Sequence, residues 1–261
     1  MNIYFLLVII FIIFIISFYF IQDNFENHNN NEIQLELVIS RYNEDLEWLK
    51  EEPFNKYPIT CYNKGINNSF YKPSNMKIIN IENVGRCDHT YIYHIVNNYD
   101  TLSNYIMFLP GSCNIEYKKN KAILWIYEIE KTKTSIFIGL KLEKGIQDTL
   151  FDFQIDEYVC SDYKNYILNP EKKLQLHNVR PFGKWYNKHF TDNKFYYVSY
   201  GGVIGVSKNN IMTTSKEKYI TFLNELNQHS NPEVGHYFER AWCAIFNISD
   251  NNTLIINETL L

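Results

Sequence analysis

Ten glycines serve a chain of 261 residues, yet two stand side by side in Tyr200-Gly201-Gly202-Val203-Ile204. Further along, Gly235-His236-Tyr237-Phe238-Glu239-Arg240 places an imidazole, a carboxylate and a guanidinium within one short helical stretch. Paired glycines let a backbone take positive φ or lie against a ligand, and an acid on a following helix can reach the same place. That is a site-shaped arrangement, with Glu239 and His236 as its candidate polar groups. The same residues suit a glycine-bulged strand followed by a surface helix with an i, i+3 His/Glu pair.

Other polar residues fall where a phosphate could be held. Arg41, Asn43 and Glu44 follow the apolar run Leu35 to Ile39, and in an open α/β sheet ligands bind at the carboxyl end of such a strand. Asn43 suits a helix cap equally well, and Arg41 an ion pair. Gly85-Arg86 precedes a helical pattern with Asp88 or Thr90 as cap and Tyr91, Ile92, Ile95 and Val96 as its apolar face. That puts Arg86 at the positive end of a helix, a place for an anion such as a diphosphate. Arg180, Lys184, Lys188 and His189 interleave with Phe182, Trp185, Tyr186 and Phe190, setting cations for phosphate beside aromatic faces for a sugar or base. Those aromatic residues suit a core equally well. His89 and His94 stand i, i+5 apart and splay around their helix, which argues against metal ligation.

The elements that must carry these residues alternate. The run from Leu35 reads as strand, polar turn and a helix through Leu46 and Leu49. "PITCYNKG" reads as a second strand and turn. "MKIIN", the Gly-Arg turn, a helix and a strand from Tyr105 to Leu109 follow. "KAILWIYEIE" and "TSIFIGLKL" read as two strands, and about residues 144 to 195 are less regular. "FYYVSYGGVIGVS" reads as a strand, a helix begins near Ser215, "PEVGHYFERAWCAIF" is a second helix and "NTLIIN" a last strand. This alternation predicts a single layered α/β domain.

Residues 3 to 21 form an uncharged apolar run long enough to cross a bilayer as one helix, so residues 1–22 are expected to be a single-pass membrane anchor. The absence of a basic n-region and of a small-residue cleavage pattern argues against a cleaved signal. Residues 23–32 are polar and asparagine-rich, a stalk, and residues 33–261 form the domain. Sequons at Asn67, Asn247, Asn251 and Asn257 permit glycosylation and favour a lumenal or extracellular domain. Five widely spaced cysteines without a CxxC argue against zinc and against a complete disulfide framework. A net charge of −4 gives no footprint for nucleic acid.

Taken in order, "LVISRYNEDLEWL", "YNKG", "ENVGRCDHTYIYHIVNNYDTLSNYIMFLPGS", "GGVIGVSKNNI" and "GHYFERAWCAIF" resemble a family of uncharacterised proteins from fungi, bacteria and giant viruses, over about residues 35 to 246. That family in turn looks like nucleotide-diphosphate-sugar glycosyltransferases of the GT-A type. The resemblance implies a Rossmann-like mixed sheet, with Arg41, Asn43 and Arg86 on the nucleotide diphosphate. It also implies Trp185 on the sugar, the glycines against sugar or acceptor, and Glu239 as acceptor base. Glu44, Gly85, Asp88, Arg180, Lys184 and His236 complete the expected binding set, with a nucleotide-sugar and a glycan acceptor as partners. Such enzymes hold Mn or Mg through an Asp-x-Asp after a central strand, whereas here the turn reads Ser112-Cys113-Asn114. The metal is then held elsewhere, for instance by Asp88, or basic residues such as Arg86 and Lys184 replace it, or catalysis is lost. In that last case the chain is a carbohydrate-binding or structural virion glycoprotein.

Overall fold

Leu35–Arg41 (β1) carries the apolar run Leu37-Val38-Ile39 at its centre because it lies mid-sheet with side chains buried on both faces. The structure, a computed structural model, describes residues 33–156, 173–191 and 197–257, and Leu35–Leu261 forms one compact unit. Ile59–Asn63 (β2) and Tyr105–Pro110 (β4) flank β1 in parallel, and Met76–Asn80 (β3) lies parallel outside β2. Ile204–Ser207 (β7) closes the other edge, antiparallel to β4, giving the order β3-β2-β1-β4-β7. Arg41, Asn63 and Asn80 stand in register at the carboxyl ends, with Ser40 opposite Pro110. The order reverses between β1 and β4, which makes this end the place where an open sheet binds ligands.

The described residues also form a smaller sheet in which Ile136–Lys141 (β5) pairs with Tyr197–Val198 (β6) antiparallel and Leu254–Asn257 (β8) parallel. The helices are Arg86–Asn98 (α1), Glu116–Thr132 (α2), Lys144–Phe151 (α3), Phe182–His189 (α4), Lys208–Met212 (α5), Lys216–Leu226 (α6) and Glu233–Ile245 (α7). Ser215 caps α6 with its side chain.

Three local expectations are corrected. The stretch after β1 makes only 3-10 turns, Glu47–Lys50 and Phe54–Lys56, so Asn43 caps no α-helix. The expected strand at residues 121–130 lies within a helix, Glu116–Thr132: Ala122, Trp125, Ile126 and Ile129 are buried at helical spacing although Ala122 to Tyr127 is continuously apolar. The strand expected from Phe195 to Ser207 is broken at Gly201-Gly202 into β6 and β7. Among the described residues no helix is long and apolar enough to cross a membrane. The run 3–21 and the stalk 23–32 lie outside the described residues.

Trp185 is fully buried and so stacks on no sugar. It packs against Phe182, Phe222, Tyr237 and Phe238, and its indole N–H donates to Glu225 at 2.6 Å. This aromatic cluster joins α4, α6 and α7. Trp185→Ala should therefore cost about 3–5 kcal/mol, on the order of 10 °C in melting temperature of the full chain. An unchanged melting curve would contradict the core assignment.

Candidate functional site

The chain enters α1 through Gly85 and Arg86, both left-handed, with φ of 59° and 55°. For an arginine that conformation costs about 1–3 kcal/mol. Lys64, just past β2, holds it by donating to the carbonyls of Val84 at 2.6 Å and of Arg86. Burial pulls this lysine down to about 8. The Gly85 N–H donates to the His229 carbonyl at 2.8 Å. Gly85 thus offers no N–H to an anion, and α1 has no side-chain cap from Asp88 or Thr90.

The turn aims Arg86 at α7. Its Nη1 lies 2.6 Å from Nε2 of His236 and 3.4 Å from Nδ1 of the same ring, so the nearer Nε2 is the acceptor. A guanidinium has no acceptor, so Nε2 supplies the lone pair and the imidazole proton sits on Nδ1. Nδ1 faces the Glu239 carboxylate at 3.7 Å, and Arg86 Nη2 stands 3.9 Å from the other carboxylate oxygen. Burial lowers His236 below its ordinary value against the pull of Glu239, so the ring is neutral at pH 7. Burial pushes the Glu239 carboxyl up, but His236 and Arg86 outweigh it and hold it below the usual value, ionised. The carboxylate is half-buried, with 16% of its side chain exposed, and can meet a ligand.

Beneath this chain lies Asp88, fully buried. Trp242 donates to it at 3.2 Å, and the Cys87 thiol lies 3.8 Å away. Burial first, and then the charge of Glu239, push its carboxyl up to about 7. Two acids on one junction are thereby split, one tending to hold a proton and one ionised.

Gly201 and Gly202 have φ of 79° and 73° and form the turn between β6 and β7. A Cβ on Gly202 would lie 3.0 Å from Cys87 Sγ, and the Gly202 carbonyl accepts from Tyr91 at 2.7 Å. On its other side, a Cβ on Gly201 would meet the Tyr117 ring at 3.1 Å and Lys118 at 3.6 Å. Tyr200 lies 5.3 Å from the Arg240 guanidinium, which also covers the Phe153 ring at 3.4 Å and donates to the His236 carbonyl. The glycine turn thus touches the start of α1 on one side and the start of α2 on the other, while its neighbour Tyr200 reaches α7.

Arg41 is fully buried. It donates to the Glu44 carbonyl at 2.8 Å and to Asn63 at 2.6 Å, and stacks on Phe70 at 3.8 Å, so it braces the carboxyl end rather than meeting a ligand. Asn43 is exposed at that rim. The Glu44 carboxylate accepts the N–H groups of Tyr42 and Asn43 and lies 2.6 Å from where a Cβ on Gly111 would stand. Arg180 is spent on Glu233 at 2.9 Å and Asp156 at 2.7 Å, which excludes it as a phosphate cation. Lys184 is exposed on α4, with no hydrogen bond or ion pair to the residues around Arg86. Asn67, Asn247 and Asn251 are exposed, and Asn257 is half-buried in β8. Cys61, Cys87, Cys113 and Cys243 are free thiols.

A divalent Mn or Mg ion takes several oxygen ligands, carboxylates foremost. The turn after β4 has none, Asp88 faces inward, and Glu44 is turned back on its own loop. Among the described residues no group of three or more His, Cys, Asp or Glu is placed to hold a metal. The described residues do not fit the ion. Lys64, Cys87 and Lys118 were missed from sequence. Lys64 carries a usable signal, a lysine before glycine at a strand's carboxyl end, whereas Lys118 was hidden by the strand assigned just beyond it.

Asp88 sets a pH dependence. With its folded value near 7 and an ordinary value of 3.8, the folded state holds the extra proton between them. The stability associated with it is therefore present at low pH and is lost as pH rises from about 4 through 7. Asp88→Asn, which keeps an oxygen for Trp242, should gain on the parent over that window by roughly 1–3 kcal/mol, read as a widening gap in melting temperature. Parallel profiles would mean Asp88 is an ordinary carboxylate.

No curated protein matches the chain. A family model described as protein of unknown function matches residues 37–257, spanning β1 through β8 and every residue of the junction between α1 and α7. The chain belongs to that family of proteins of unknown function, DUF3431.

Proposed function

We propose that this chain is a membrane-anchored glycosyltransferase of the GT-A type, held in the membrane by residues 3–21 and transferring a sugar from a nucleotide-sugar donor to an acceptor hydroxyl. One observation carries the reading. An ionised, half-buried Glu239, oriented by Arg86 and His236, stands at the junction whose α1 start touches the positive-φ glycine turn, beyond the carboxyl ends of parallel strands where their order reverses. The antiparallel β7 beside β4 suits the same architecture.

In this reaction the acceptor oxygen attacks the anomeric carbon and its proton passes to the Glu239 carboxylate. The bond from that carbon to the diphosphate oxygen breaks, and the electron pair leaves with the nucleoside diphosphate. His236 and Arg86 hold Glu239 ionised in the resting state, ready to take the proton. Catalysis is then positioning plus stabilisation of the leaving charge.

Glu239→Gln keeps the shape and removes the proton acceptor. Transfer should fall by about 10²–10⁴-fold with donor binding retained. Both are read on one preparation, with nucleotide-sugar turnover as the assay and the melting temperature as the control. A Gln variant that is destabilised yet turns over normally per folded molecule would remove Glu239 from the chemistry and leave it a structural partner of His236 and Arg86.

A further inference from the structure

The donor diphosphate needs positive charge where its bond to the sugar breaks, and the residues after β4 do not fit a divalent ion. They place a cation there instead. We propose that Lys118 takes the role of the ion, so that the chain binds its nucleoside diphosphate without metal. This inference rests on the glycosyltransferase reading above.

The turn after β4 is built inward. The Gly111 N–H donates to Ser40 at 2.7 Å, the Gly111 carbonyl accepts from Trp48 at 3.1 Å, and Cys113 is buried with its N–H on the Pro110 carbonyl. Of its oxygens, that of Ser112 is already engaged by Lys118 Nζ at 3.1 Å. A divalent ion placed on Ser112 would meet an ammonium at contact distance, a like-charge clash. A phosphate oxygen in the same place would be attracted, since the ammonium has three donors and Ser112 takes one.

Lys118 also stands on the correct side of the glycine turn. Its Cε would lie 3.6 Å from a Cβ on Gly201, while Gly202 packs toward Cys87, next to Arg86. Arg86 in turn leads to Glu239. A donor lying beside Tyr117 at the edge of this packed turn would thus have its leaving diphosphate toward Lys118 and its sugar toward the start of α1. Tyr117, 55% exposed and against Gly201, offers an aromatic face beside the same place, which buried Trp185 does not.

The test is calorimetric titration of the full chain in detergent with UDP, GDP, ADP and TDP, in EDTA and again with Mn²⁺, on the parent, Lys118→Met and Lys118→Arg. At least one nucleotide should bind the parent in EDTA, with little change on adding Mn²⁺. Lys118→Met should weaken that binding by about tenfold or more at an unchanged melting temperature, and Lys118→Arg should keep most of it. Binding that requires Mn²⁺ would overturn the inference and leave the glycosyltransferase reading standing. Binding in EDTA that Lys118→Met leaves intact would overturn the role of Lys118. No binding by any of the four nucleotides in either condition would overturn the glycosyltransferase reading and this inference with it.

Discussion

The site depends on one close approach between helices. At Gly235 the backbone of α7 comes so near the start of α1 that a Cβ there would stand 3.1 Å from Arg86 Cδ and 3.7 Å from an Asp88 oxygen. A helix pays a propensity cost of roughly 1 kcal/mol for a glycine at such a position, and here it lets Arg86 and Asp88 reach His236, Glu239 and Trp242 across the junction. Burial acts on Asp88, His236 and Glu239 alike, with different outcomes. Asp88 goes up, His236 goes down, and Glu239 stays low because the His236 N–H and the charges of Arg86 and Arg240 outweigh its burial.

That arrangement explains why α1 begins with strain. Arg86 adopts the left-handed region without being glycine, and the buried Lys64 ammonium holds the loop carbonyls that fix it. The glycine turn at Gly201-Gly202 packs on the same α1 start through Cys87 and Tyr91. Two loops far apart in sequence are thus referenced to one helix end, while α1 itself packs on β1 and β4. The aromatic cluster around Trp185 holds α7 from behind, so core packing and site geometry share a helix.

Much of this was legible in the sequence, and the rest failed for physical reasons. The alternation of β1, β2, β3, α1 and β4 follows from short β-branched runs separated by turn residues, and the order of elements from Ser215 onward from apolar spacing. Residues 121–130 read as a strand because the apolar run from Ala122 to Tyr127 fits a buried strand as well as a helix. Arg86, His236, Glu239 and the paired glycines stood out because their types are costly unless used. Arg41, Arg180 and Trp185 carried the same chemical labels, but whether a guanidinium or indole faces inward depends on partners such as Asn63, Glu233 and Glu225, each far away in sequence. Lys118 was invisible as long as its helix was.

The central claim is directional: Arg86 donates to Nε2 of His236, leaving the proton on Nδ1 toward Glu239. Nitrogen-15 NMR of the full chain, labelled at histidine, reads the protonation of each ring nitrogen at neutral pH. The account predicts a neutral His236 with Nδ1 protonated and Nε2 bare, and loss of that preference in Arg86→Ala. A His236 ring protonated on Nε2, or doubly protonated at neutral pH, would contradict it.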